Sequence, residues 1–242
     1  MTLAHISEPT FTFKIGPLLI ATFDGKNNPR GSAEEFASRH QTTLANLITP
    51  PGKADDGGFQ QIVTDPASFR TSFDGIYITK QQSVGMSSRD CPIVTIVDVE
   101  KMEWVVCHAG RPAISPLPFS TGRYNHGIIN NAVGLLLGRG SLPHHLHAYI
   151  TAGICKKCFV HHPTRDAHLL RPFFPEYRWA FDTKTGWLDL KRIIHSQLTN
   201  MRVSAKNIHL DGLCTKEHPG LASNRGGNGP DQSNLVTVFA QP

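Results

Sequence analysis

The sequence has no long apolar run. Crossing a bilayer takes roughly 20 consecutive apolar residues, and the best candidate, Ile15 to Phe23, is short and interrupted by Gly16 and Pro17. No positively charged start precedes it and no small-residue cleavage site follows, so it reads as a buried strand and not as a signal peptide. Blocks of like charge are also missing. The 24 Lys and Arg outnumber the 19 Asp and Glu, for a net charge of +5, but they are scattered. Nucleic-acid binders concentrate such residues in a stripe or patch. Neither a nucleic acid nor a membrane is therefore expected as a partner, and the mild excess suits small anions. Cysteine is sparse and odd in number, at five. That argues against a secreted disulfide framework and for reduced thiols in a cytoplasmic protein. There is no internal repeat and no low-complexity linker. With 39% apolar and 18% charged residues the chain is neither disordered nor a coiled coil.

What is present is enough chain for a sizeable core. At 242 residues, roughly 70% or more of the unfolded surface is hidden on folding, and residues 1–242 read as a single domain. Strands are expected at Thr10–Lys14, Leu18–Phe23, Phe59–Thr64, Phe73–Thr79, Val84–Ser88, Ile93–Val99, Trp104–His108, His147–Gly153, Ile208–Asp211 and Leu235–Phe239, from their β-branched and aromatic content. Ser32 offers an N-cap for a helix from about Ala33 to Ile48. Ile129, Ala132, Val133 and Leu136 fall on one helical face, as do Leu190, Ile193, Ile194 and Leu198 behind an Asp189 cap. The fold class this predicts is α+β, with strands packed between helices.

Histidine is unusually common, with 13 copies, and one of them stands in an informative place. The strands Ile93–Asp98 and Trp104–His108 are joined by only a few residues, which favours an antiparallel pair. A reversal near Val99–Glu100 puts Cys91 opposite His108, on the same face. An imidazole beside a thiol can deprotonate it or stabilise its thiolate. Asp90 could orient that histidine or only cap the strand. The turn VEKME has no Gly or Asn, so a one-residue slip would separate the two side chains, leaving a core histidine and a buried cysteine.

The string from Ser87 to Arg111, SSRDCPIVTIVD…WVVCHAGR, resembles the YfiH-like family, also called polyphenol oxidase or purine nucleoside phosphorylase family proteins, with its T-A-D-C-x-P strand and H-A-G-W-R. Asp74 to Thr79, Ala152–Phe159, Trp187–Leu190, Cys214-Thr215 and Ala222–Arg225 are similar, in order, to further family segments. The resemblance implies a layered α/β/β/α domain with mixed sheets and a Cys-His site, a fold similar to the cysteine hydrolases of the cytotoxic necrotizing factor type. It implies a small-molecule substrate, a purine nucleoside with phosphate, and carries over Cys91 and His108. It also implies a zinc ion held by an early histidine, the cysteine and the H-A-G histidine.

The chain departs from that pattern. Val63 or Thr64 stands where the early histidine belongs, and two protein ligands make a poor zinc site. Zinc on Cys91 and His108 is expected to be weak or absent unless His126 completes it, and no other cofactor is expected. The tryptophan of H-A-G-W-R is Arg111-Pro112 here, and S-Y-R-R has become Ser223-Asn224-Arg225-Gly226. Arg111 and Arg225 are candidates to clamp a phosphate or carboxylate, with Asp90 beside them, and the glycine-rich Arg225–Asn234 loop could offer backbone N–H groups. Cys155 and Cys158 form a C-x-x-C near His161 and His162, read as free thiols with a structural zinc as the alternative. His144, His145 and His147 read as a solvated loop, and Trp104, Trp179 and Trp187 as core. The leading function is an enzyme acting on purine nucleosides by phosphorolysis or deamination. The alternatives are a metal-free Cys-His hydrolase or deamidase, and a binding protein that keeps the fold without the chemistry. The oligomeric state is not legible.

Overall fold

The computed structural model describes residues 8–16, 18–25, 29–40, 46–48, 62–64, 73–79, 83–115, 127–173, 176–228 and 232–240. Its strands, in chain order, are β1 (Phe11–Ile15), β2 (Leu18–Phe23), β3 (Asn46–Ile48), β4 (Ile62–Val63), β5 (Gly75–Thr79), β6 (Val84–Ser88), β7 (Ile93–Asp98), β8 (Glu103–His108), β9 (Leu146–Ile150), β10 (Ile208–Leu210) and β11 (Asn234–Ala240). The α-helices are α1 (Pro29–Arg39), α2 (Ile128–Gly138), α3 (Ala167–Leu170) and α4 (Leu190–Asn200).

Two mixed sheets form. One runs β1-β2-β11-β6-β3 and the other β10-β9-β7-β8-β5-β4. The pairs β3·β6, β4·β5 and β9·β10 are parallel and the rest antiparallel. Alternation along the strands sorts the apolar residues into layers. Leu18, Ile20, Val236 and Val238 of the first sheet meet Ile76, Ile78, Ile93, Val97, Trp104 and Val106 of the second in one buried cluster. The opposite face of the first sheet, with Leu19, Ala21, Phe23 and Phe239, is covered by Ala33, Phe36 and Ala37 of α1. The outer face of the second, with Val94, Ile96, Val105 and Cys107, is covered by α2 and α4. The order of layers is therefore helix, sheet, sheet, helices: an α+β fold in α/β/β/α arrangement.

Most element boundaries lie within a residue or two of those expected. The first helix differs. It begins at Pro29 and not behind Ser32, which is buried within it. Proline suits a first helical turn because its missing N–H would be unsatisfied there anyway. The helix stops at Arg39, and Asn46–Ile48 forms the edge strand β3 instead of continuing it. Trp104 is fully buried, but Trp179 is 40% exposed, its indole stacked under the Arg192 guanidinium at 4.6 Å. A charged partner thus covers what was expected to be core. Among the described residues no helix is long and apolar enough to cross a membrane.

The β7–β8 hairpin closes without a glycine. The Asp98 carboxylate accepts hydrogen bonds from the backbone N–H of Glu100 (2.9 Å) and Lys101 (3.0 Å), while Met102 takes the left-handed conformation at φ 57°. An aspartate side chain here does the work of turn glycine chemistry. The register pairs Ile93 with His108 and Asp98 with Glu103. The turn centre is one residue later than expected, which moves the pairing by two, and a shift of two keeps every side chain on its original face.

Candidate functional site

At the open end of this hairpin three backbone bonds fix the frame. His108 N donates to Asp74 O (2.7 Å), Ala109 N to Pro92 O (2.9 Å) and Ile154 N to Asp90 O (2.8 Å). Cys91 precedes β7 and His108 ends β8, so the two side chains meet at the rim of the inter-sheet layer. They converge over Gly110: a Cβ there would lie 3.1 Å from Cys91 Sγ and 2.9 Å from His108 Cε1. A side chain there would have to displace the imidazole or the thiol. Every one of the five cysteines is a free thiol.

The other face of the imidazole meets Asp74, whose Oδ1 lies 3.2 Å from His108 Nδ1. Asp74 precedes β5, which pairs with β8, so the sheet register brings the carboxylate alongside. Cys91, His108 and Asp74 thus line up as thiol, imidazole and carboxylate. Burial opposes charge on His108, but the electrostatic influence of Cys91 and then the hydrogen bond that the ring donates to Asp74 prevail and raise its pKa to about 10. The histidine is held as an imidazolium at neutral pH, an arrangement that stabilises a neighbouring thiolate. Cys107, next in the strand but facing α2, is fully buried, and burial pushes its thiol pKa far up. It is inert.

Asp90 does not orient the histidine. Its carboxylate accepts from Thr215 Oγ1 (2.9 Å), Ser223 Oγ (2.6 Å) and the Arg225 backbone N–H (2.9 Å). Its negative charge would repel an anionic substrate. It clamps the 215–225 segment against the dyad, and that segment carries Arg225. The Arg225 side chain donates to Val160 O (2.7 Å) and lies over the Phe159 ring. Arg111 follows the H-A-G turn. Burial first, and then the like charge of Arg225, lower its pKa, while Cys91 acts in the opposite sense. Its Nη1 is buried without a hydrogen-bond partner among the described residues. His161 completes the group. Burial and then the charges of Arg111 and Arg225 push its pKa down to about 4, and its buried Nδ1 has no partner among the described residues either. Two guanidinium groups and a neutral imidazole thus stand together beside the thiol, with donors unspent.

Asp74 and His161 were not singled out from the sequence as site residues. Asp74 lay in a quoted motif, but its role depends on a strand partner 34 residues away. His161 was read with the C-x-x-C and belongs to the arginine pair. His162 sits elsewhere, its Nδ1 bonded to Thr164 and the Arg165 N–H. His144 and His145 form a short 3-10 turn, and the His147 ring lies beside that of His209. In the glycine-rich loop, Gly226 N bonds to Ser223 Oγ and Asn228 N to Ser223 O, so neither is offered to an anion. His126 and residues 229–231 fall outside the described residues, as does the side chain of Val63.

A family described as multi-copper polyphenol oxidoreductase laccase matches residues 37–230. Among solved structures, the chain is similar to the hypothetical protein YfiH of Bacillus licheniformis, at 19% identity and TM-score 0.71, covering 92% of both chains. It is similar to YlmD from Geobacillus stearothermophilus at 18% identity and TM-score 0.70, over 93% of this chain and 92% of that one. The Neisseria meningitidis protein NMB0706 matches at 14% identity and TM-score 0.65, over 96% and 99%. No curated protein matches. The side chains at the dyad do not fit a copper centre. A blue-copper site takes two imidazoles and a thiolate, whereas among the described residues one thiol and one imidazole converge and the next histidine, His161, is walled by two arginines. Among the described residues, the one group of three or more His, Cys, Asp or Glu side chains placed to share an ion lies elsewhere.

Proposed function

Because the chain belongs to this YfiH-like, laccase-domain family, we propose that it cleaves purine nucleosides with phosphate, using His108 as general acid and Arg111 with Arg225 as the phosphate clamp. The observation that carries this reading is the buried Arg111 guanidinium nitrogen beside the dyad, which has no hydrogen-bond partner among the described residues. A buried charged donor without a partner costs several kcal/mol, and a bound phosphate oxygen supplies the missing acceptor. Neutral His161 adds a further hydrogen-bonding nitrogen.

A phosphate oxygen forms a bond to C1′ of the ribose as the C1′–N9 bond breaks. The electron pair of that bond passes to the purine, and a ring nitrogen takes the proton of the His108 imidazolium. Asp74 and Cys91 hold that proton in place until the transfer and stabilise it electrostatically. The products are ribose 1-phosphate and free base, and no step passes through a metal.

A second reading draws on the thiol–imidazole–carboxylate line itself. Cys91 attacks an amide carbonyl carbon, the C–N bond breaks, His108 protonates the leaving nitrogen, and water then releases the acyl group from sulfur. Incubation of wild type and Cys91→Ala with adenosine or inosine and phosphate, followed by chromatography of free base, separates the two. The phosphorolytic reading expects phosphate-dependent base release that Arg111→Gln also abolishes. Absence of release from the wild type overturns it. Rapid, pH-insensitive alkylation of Cys91 together with amide cleavage would then favour the hydrolase.

A further inference from the structure

The C-x-x-C at Cys155 and Cys158 is not alone. The chain brings a second turn of the same spacing against it, Cys214 to Glu217. The Sγ atoms of the three cysteines and a carboxylate oxygen of Glu217 all lie within 4.8 Å of one another. The two turns have the same backbone form. Cys158 N (3.0 Å) and Phe159 N (2.9 Å) both donate to Cys155 O, and Glu217 N (3.2 Å) and His218 N (2.9 Å) both donate to Cys214 O. Each turn therefore points its first and fourth side chains in one direction, and the two turns face each other. The Cys155 backbone N–H donates to Cys214 Sγ at 3.3 Å, a bond that favours a thiolate there.

We propose that Cys155, Cys158, Cys214 and Glu217 hold a structural zinc ion, at a site separate from the dyad. Zinc takes four ligands in a tetrahedron, and thiolate sulfur and carboxylate oxygen both serve. With a Zn–S bond of about 2.3 Å, the edge of such a tetrahedron is about 3.8 Å. Cys158 Sγ and Cys155 Sγ already lie 3.6 and 3.9 Å from the two Glu217 oxygens, so the ion requires side-chain adjustment and no backbone movement. Three thiolates and a carboxylate suit zinc better than an iron–sulfur cluster, which is held by four cysteines. With all four positions filled by protein the site is closed, which marks it as structural. Binding displaces the thiol protons to solvent. Cys214 is buried and Glu217 exposed, which leaves an entry route from solvent. The frame is firm: buried Lys191 on α4 donates to Asp211 O (2.8 Å) and Leu213 O (2.7 Å), just before Cys214.

The test uses the full chain, stripped with a chelator under reducing conditions and titrated with cobalt(II), then zinc(II). The expected result is about one equivalent of cobalt with an intense thiolate-to-cobalt charge-transfer band, displaced by zinc. Cys158→Ser loses that band. Glu217→Gln, at an exposed position where folding is not at stake, keeps the band but binds at least about tenfold more weakly, since even a ligand's hydrogen-bond partner is worth that much. Cys91→Ser retains wild-type binding. A wild type with five titratable thiols and no charge-transfer band overturns the proposal. So does a band that disappears in Cys91→Ser and survives in Cys158→Ser. Neither result depends on nucleoside cleavage, because the two sites share no side chain.

Discussion

The charge state of the candidate acid is set against burial first by Cys91 and next by Asp74. With its carboxylate 3.2 Å from Nδ1, the imidazolium persists to about pH 10. Asp74→Asn removes both the charge and the charge-assisted bond, so the His108 pKa falls below about 10, and an imidazole proton resonance followed against pH reports the drop. The same group links pH to stability. The folded pKa of about 10 lies above the ordinary value of 6.5, so the imidazolium's stabilisation is complete below about pH 6.5 and is lost as the pH rises through about 10. Urea unfolding of wild type and Asp74→Asn is therefore expected to differ most at low pH within that span and to converge above it. Asp90, by contrast, shows how residue type alone misleads. It adjoins the thiol in sequence, yet its oxygens are taken by Thr215, Ser223 and Arg225. Its position next to Cys91 was readable; the partners arriving from 125 and 133 residues away were not.

Among the elements, the hairpin of β7 and β8 bears the most. Its strands were readable because Ile93–Asp98 is buried along its whole length and is β-branched at nearly every position. Its turn was not, because the Asp98 side chain replaces the expected glycine. Asp98 is fully buried, and Asp98→Ala leaves two backbone N–H groups without their acceptor. The expected cost is about 1–3 kcal/mol, measurable by chemical denaturation, with a matching loss of dyad alignment. The first helix failed to be read for the opposite reason. Asn46–Ile48 carries apolar residues compatible with a helix or a strand, and pairing with β6 settled the matter. Short apolar runs are decided by the sheet that accepts them.

At the scale of the whole molecule, four layers could be expected only through the resemblance, since composition and periodicity reached no further than strands between helices. What joins the layers is the inter-sheet cluster, with Trp104 at full burial. Trp104→Ala opens a cavity between the sheets at an expected cost of about 3–5 kcal/mol, seen as a lowered denaturant midpoint. The paired turns at Cys155 and Cys214 were half legible. The C-x-x-C stood out, but Cys214 and Glu217 are brought to it from about 59 residues away, by the return of the chain along α4 and β10.

Gly110 has a consequence for inheritance. Every missense change of its codon installs a Cβ, and any Cβ lands 3.1 Å from the thiol sulfur and 2.9 Å from an imidazole carbon. The position thus admits silent changes but no gradual remodelling while the dyad is in use. Were the chemistry abandoned, it would be among the first positions near the cleft free to acquire a side chain. On the proposed chemistry, the residue at 110 becomes a gauge, readable from sequence alone, of whether the cysteine and histidine are in use.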